Sequence, residues 1–209
     1  PMRFSPAAPV GKSQSPMPWT NSYLEGLLMT DVPLHVIHLD QDDPKKCTAR
    51  ALERRGHATL HYDVRQSPKR GILLDPNSGA LLGPDDRKLI DFGAAIVALD
   101  CSWKNLEESL SEMSTNTSLI PRTLPLVLAA NPVSWGKPGR LSTAEALCVS
   151  LILSGRTEQA KSIILPFSFG EQFLNLNHEP LLAYSQAVSN SEPARMQWDF
   201  FDMPELTDD

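Results

Sequence analysis

The run Ala94-Ala-Ile-Val-Ala-Leu-Asp100-Cys101-Ser102-Trp103 constrains the fold more than any other stretch of the chain. Small and apolar residues follow Gly93 without a polar break, which suits a strand covered on both faces, as in a parallel sheet. The run then ends in a carboxylate, a thiol, a hydroxyl and an indole. Open α/β sheets bind ligands outside the carboxyl ends of their strands. This ending therefore places a charge and a flat apolar ring where a small molecule would sit. The competing assignment is structural: Asp100 caps the next helix and Trp103 fills the core.

The surrounding pattern alternates strand and helix signals. Leu34-His-Val-Ile-His-Leu39 reads as a first strand, with His35 and His38 on opposite faces and so not ligands of a shared metal. Asp43-Pro44 to Gly56 reads as a helix with an acidic cap, proline in its first turn and glycine at its end. Strand signals recur at His57 to Tyr62 and at Ile72 to Leu74, with a short helix over Pro84 to Phe92. His57 and His61 share a face, but no third metal ligand is evident. Leu124 to Ala130 is the last strand-like run, followed by a rigid loop over Asn131 to Gly139. Two capping boxes, Ser142-Thr-Ala-Glu145 and Ser168-Phe-Gly-Glu171, open a helical remainder.

At 209 residues and 41% hydrophobic, the chain can bury one substantial core or two small ones. No apolar run reaches the ~20 residues needed to span a bilayer. Cys47, Cys101 and Cys148 are odd in number and widely spaced, which fits reduced thiols in the cytoplasm and lacks the close pairing of a zinc site. The net charge of −6 hides a polarity: residues 43–70 carry eight basic against three acidic side chains, whereas one arginine faces six acids from Ser191 onward. The basic run is a candidate phosphate-facing surface, or simply a solvated face. The acidic tail, with Trp198, Phe200 and Phe201, is either disordered or a docking segment.

Six motifs, taken together, carry a resemblance: Asp42-Asp43-Pro44-Lys45-Lys46-Cys47-Thr48, Ile72-Leu73-Leu74-Asp75-Pro76, Pro84-Asp85-Asp86-Arg87, Asp100-Cys101-Ser102-Trp103, Leu128-Ala129-Ala130-Asn131-Pro132-Val133 and Ala144-Glu145-Ala146-Leu147. In order and spacing, from about Leu34 to Tyr184, the chain resembles the aminocarboxypropyltransferases that modify a hypermodified uridine of small-subunit ribosomal RNA. The amino-terminal part of that family is similar to the amino terminus of the RNase L inhibitor.

The resemblance implies an α/β fold, with a knotted, SPOUT-like parallel sheet in the amino-terminal half and an all-helical carboxyl-terminal half. It divides the chain into a flexible lead-in (1–33), an α/β half (34–103), a mainly helical half (104–188) and an acidic tail (189–209). The cofactor implied is S-adenosyl-L-methionine, whose 3-amino-3-carboxypropyl group is transferred with release of methylthioadenosine. Carried over by position, Leu74 and Pro76 on one side and Leu124, Leu141 and Ala146 on the other hold the adenine. The backbone at Leu99 holds the ribose, Thr48 meets the amino-carboxypropyl tail, Thr143 adds a contact, and Trp103 covers the methyl group. Asp100 serves as general base or orienting group. Lys45, Lys46, Arg50, Arg65, Lys69, Arg70 and Arg140 grip RNA phosphates. The implied partner is small-subunit ribosomal RNA or the pre-ribosomal small subunit, met by a cytoplasmic monomer with no metal and no membrane. The alternatives are a knotted RNA methyltransferase using the same cofactor, a non-enzymatic ribosome-assembly protein, and a relative acting on transfer RNA.

Overall fold

A computed structural model describes residues 30–38, 47–100 and 117–202. Trp103, Lys45, Lys46, most of the lead-in, most of the polar connector at 111–118 and the last seven residues lie outside the described residues. The elements are β1 (Leu34–His38), α1 (Thr48–Arg54), β2 (Thr59–His61), β3 (Gly71–Leu74), α2 (Arg87–Asp91), β4 (Ala95–Asp100) and β5 (Ile120–Arg122). They are followed by α3 (Thr143–Leu153), α4 (Thr157–Ile164), α5 (Gly170–Leu176), α6 (His178–Ser185) and α7 (Glu192–Met196). No helix among the described residues is long and apolar enough to cross a membrane.

The five strands are all parallel, in the order β2-β1-β4-β3-β5. Their alternate side chains feed two cores, which is why the strand sequences read as unbroken apolar runs. Val36, Ile72, Ile96 and Ala98 join the larger cluster with α1 and α3, while Ile37, Leu73 and Val97 meet Val64 and Leu119 on the other face. β3 can lie close to β4 because Gly71 has no Cβ; one built there would overlap the Ala95 carbonyl oxygen. Helix α3 is buried on nearly every side, including Leu147, Cys148, Leu151 and Ile152. Each large aliphatic side chain so buried contributes on the order of 1.5–3 kcal/mol. Its capping box forms as the sequence indicates: the Ser142 hydroxyl accepts from Glu145 N, and Glu145 reaches back to Ser142 N.

Several elements differ from the expectations. Helix α1 begins at Thr48, and its cap is Cys47, in extended backbone, whose sulfur accepts from Arg50 N; Asp43 and Pro44, the expected start, lie outside the described residues. The Ser168 capping box does not form: α5 starts at Gly170 without a side-chain cap, and Gly170 sits so tightly against the Ile164 carbonyl that a Cβ has no room. The described part of the acidic tail is docked, with α7 in place and Gln197 accepting from Leu126 N.

The run Leu124 to Ala130 does not join the sheet; β5 lies before it at Ile120–Arg122. Pro125 has no N–H to give a ladder. The run bridges back to the Lys137–Gly139 segment on one side, and side chains serve the other: Asn177 Oδ1 accepts from Leu128 N at 2.7 Å, and its Nδ2 donates to Leu128 O at 2.8 Å. Tyr184 Oη donates to Leu126 O at 3.0 Å. Asn177 is fully buried, so its removal would strand both Leu128 groups away from water. We expect Asn177→Leu to lower the unfolding free energy by about 3 kcal/mol, read from the urea midpoint. A loss under about 0.5 kcal/mol would mean that water or a shifted backbone replaces the amide.

Candidate active site

Strands β1 and β4 are neighbours, yet the chain leaves their carboxyl ends in opposite directions, β1 toward β2 and β4 toward β5 beyond β3. That is a topological switch point, where open α/β sheets form their ligand crevices. The last residues of the two strands, His38 and Asp100, are register partners. His38 Nδ1 lies 2.6 Å from Asp100 Oδ2, and Arg50 Nε donates to His38 Nε2 at 3.2 Å. Since a guanidinium can only donate, Nε2 is the acceptor and the ring proton sits on Nδ1, pointed at the carboxylate. Cys47 Sγ donates to the same Oδ2 at 3.3 Å, and Thr143 Oγ1 donates to Oδ1 at 2.8 Å. One buried carboxylate thus joins β1, β4, the cap of α1 and the start of α3. The exposed ring of Tyr62 stands edge-on to His38 at 5.8 Å between centroids.

Beside this junction is an apolar wall. Leu74 ends β3 inside the larger cluster, and Leu124, Leu141 and Ala146 pack half-buried against that cluster. Pro76 is exposed two residues past Leu74. The Leu99 side chain packs on the opposite face of the sheet. The Thr48 hydroxyl accepts from Ala144 N at 3.2 Å, tying the first turns of α1 and α3 together.

Glu145 is a second hub, fully buried. Its Oε1 accepts from Ala130 N at 2.7 Å and Asn131 N at 2.9 Å. Its Oε2 accepts from Asn131 Nδ2 and Ser142 N, each at 2.7 Å, and from Ser142 Oγ at 2.8 Å. The residue that caps α3 therefore also fixes the loop starting at Asn131.

The cations expected to meet phosphates are placed differently from one another. Arg50 turns inward to His38. Arg65 is exposed and forms a forked pair with Asp63, whose carboxyl the guanidinium holds down at about 2. Lys69, Arg70 and Arg140 are exposed. His38, Cys47 and Glu145 are site members that the sequence reading missed. The adjacency of two strand-terminal residues, His38 and Asp100, is the signal that would have found the first, but it requires the strand order.

His38, Cys47 and Asp100 offer ligand atoms within 4.8 Å of one another. The donor set does not suit a metal, however, because Arg50 occupies His38 Nε2 while the imidazole and thiol protons both point at Asp100. The same arrangement argues against a nucleophilic cysteine. Burial pushes the Cys47 thiol up to about 11, so it remains a neutral donor.

Two family models match the chain: "Ribosome biogenesis protein, C-terminal" over residues 72–201, and "Possible Fer4-like domain in RNase L inhibitor, RLI" over residues 32–61. The second description suggests an iron–sulfur cluster, which takes four cysteine thiolates. The matched residues contain one cysteine, Cys47, a protonated thiol hydrogen-bonded to Asp100, so they do not fit one. The chain is 41% identical over 167 residues to the 16S rRNA aminocarboxypropyltransferase of Methanosarcina acetivorans, covering 80% of this chain and 93% of that protein. It is 39% identical over 173 residues to the Halobacterium salinarum protein of the same name, covering 82% and 98%. The solved structure of the SAM-dependent rRNA:acp-transferase Tsr3 from Vulcanisaeta distributa superposes with a TM-score of 0.72 at 33% identity, covering 79% of this chain and 89% of that one.

The Cys47 environment has a pH signature. The folded thiol keeps its proton up to about 11, above the 9.0 of an unperturbed cysteine. Its contribution to stability is therefore complete below about pH 9 and is lost as pH rises through the folded value. We expect the urea midpoint of the natural protein to fall more steeply between those limits than that of Cys47→Ser, which preserves the cap but does not titrate there. Parallel curves would contradict the buried, protonated thiol.

Proposed function

The chain belongs to the 16S rRNA aminocarboxypropyltransferase family, and from that premise we infer that it transfers the 3-amino-3-carboxypropyl group of S-adenosyl-L-methionine to the imino nitrogen of a modified uridine in small-subunit ribosomal RNA, releasing methylthioadenosine. The observation that carries this reading is the identity of 33–41% over about four-fifths of the chain with relatives that all bear that name. The junction at Asp100 supports it, because it stands at the switch point where such a fold receives a ligand.

When bound, the cofactor supplies a sulfonium with three electrophilic carbons, so the group that moves is the one presented to the acceptor. Leu74, Leu124, Leu141 and Ala146 form the apolar surface proposed for the adenine, with Pro76 at its edge and the Leu99 backbone at the ribose. Thr48 Oγ1 accepts from Ala144 N, which leaves its O–H to donate to the carboxylate of the amino-carboxypropyl arm. Trp103 is the proposed cover for the methyl group. Asp100 already accepts three hydrogen bonds from His38, Cys47 and Thr143, which favours orienting over proton collection as its role. Thr143 thereby acts through Asp100, and Arg50 acts through His38 rather than on a phosphate. Lys45, Lys46, Arg65, Lys69, Arg70 and Arg140 remain the proposed phosphate contacts. The reading includes the trefoil knot, a helical carboxyl-terminal half, a monomer and the cytoplasm.

Incubation with small-subunit ribosomal RNA and cofactor labelled separately in its methyl and carboxypropyl carbons tests the activity. Carboxypropyl label enters the RNA and methylthioadenosine accumulates; methyl label in the RNA would instead assign a methyltransferase. In the same assay Asp100→Asn is expected to lower kcat by about 10²-fold, the scale of a small displacement of reacting groups. An unchanged kcat would remove Asp100 from the site.

A further inference from the structure

The loop between Ala130 and Leu141 presents an indole to solvent with no evident structural reason. Trp135 is 59% exposed, and its loop neighbour Val133 is exposed beside it. Exposed tryptophan usually marks a binding surface, since the ring offers a large apolar face at little conformational cost. The loop around it is held rigidly. Asn131 Oδ1 accepts from Val133 N at 3.1 Å and Ser134 N at 3.0 Å. Gly136 N donates to Ala129 O at 2.7 Å, Lys137 N to Ser134 O at 3.0 Å, and Ala129 N to Lys137 O at 3.1 Å. Gly136 has φ 73°, a left-handed conformation that closes the turn directly after the tryptophan and favours glycine. The base of the loop is bolted by Glu145 to the first turn of α3, two residues from the Thr143 hydroxyl that binds Asp100.

We propose that Trp135 is a stacking platform for an unpaired base of the RNA substrate, close in the chain to the target nucleotide. This deepens the proposed function and rests on it. A uridine that reacts at its imino nitrogen must leave its base pair, and proteins hold such single-stranded segments by stacking bases on aromatic rings. Trp135 offers an exposed ring, and two cations, Lys137 and Arg140, are exposed on the same loop, as a backbone-tracking site requires. The internal hydrogen bonds of the loop keep the ring in position before RNA arrives, so little ordering is lost on binding. Lys137 and Arg140 supply charge, and Trp135 supplies the contact that charge cannot.

The test compares the natural chain with Trp135→Ala and Trp135→Phe. Affinity for a single-stranded small-subunit rRNA fragment is measured by anisotropy across a salt series, and affinity for S-adenosyl-L-methionine by calorimetry. Trp135→Ala is expected to weaken RNA binding by about 10- to 100-fold, the scale of one lost stack. Its salt slope and cofactor affinity stay unchanged, because no phosphate contact is removed. Trp135→Phe retains binding within about threefold. Unaltered RNA affinity in Trp135→Ala, or a parallel loss of cofactor affinity, would overturn the proposal. The label assay on the natural chain separates the two levels. Transfer to RNA together with normal Trp135→Ala binding defeats only the stacking site, whereas no transfer at all defeats the functional reading and this inference with it.

Discussion

The Asp100 carboxylate is the interaction on which the rest of the site depends. It ends a strand buried on both faces and gathers the imidazole of β1, the thiol that caps α1 and the hydroxyl that starts α3. A buried carboxylate without partners would be strongly destabilising, so these donors are required by the fold before they are useful to chemistry. Arg50 adds an outer layer by fixing the His38 tautomer. The crevice is therefore shaped by groups already committed to one another. Such preorganisation suits an enzyme whose task is to select one carbon among three.

The second half of the molecule relies on a different device. Between Leu124 and Asn131 the backbone has no continuous strand neighbour. Its polar groups are met partly by the backbone of Gly136, Lys137 and Gly139 and partly by the side chains of Asn177, Tyr184, Gln197 and Glu145, which come from later in the chain. This lets the segment pass from the sheet into the helical layer without stranding buried amides. It also makes the helical layer a structural condition of the site, because the same segment carries Leu124 to the apolar wall and leads into the loop bearing Trp135. The tail is docked for that purpose, with the ring of Phe200 edge-on to Tyr184 at 6.1 Å between centroids.

Much of this was legible in the residues. The apolar run ending at Asp100, the parallel sheet and the Ser142–Glu145 cap are local patterns, and local patterns survive folding. What was not legible depends on strand order. His38 and Asp100 are far apart in sequence and become neighbours only because β4 inserts beside β1. Cys47 displaced Asp43 as the cap of α1 because its sulfur serves both the helix and the carboxylate. Arg50 looked like a surface cation because charge counts carry no direction. The Leu124 to Ala130 run has the composition of a strand, and nothing local reveals that an asparagine side chain will replace its neighbour.

The decisive measurement is a crystal structure with bound S-adenosyl-L-methionine. The account requires the ligand at the carboxyl ends of β1, β3 and β4, with its adenine against Leu74, Leu124, Leu141 and Ala146, its methyl group covered and its carboxypropyl arm open toward the acceptor. A ligand seated elsewhere on the molecule, or one with its methyl group open to solvent and its long arm enclosed, would contradict it.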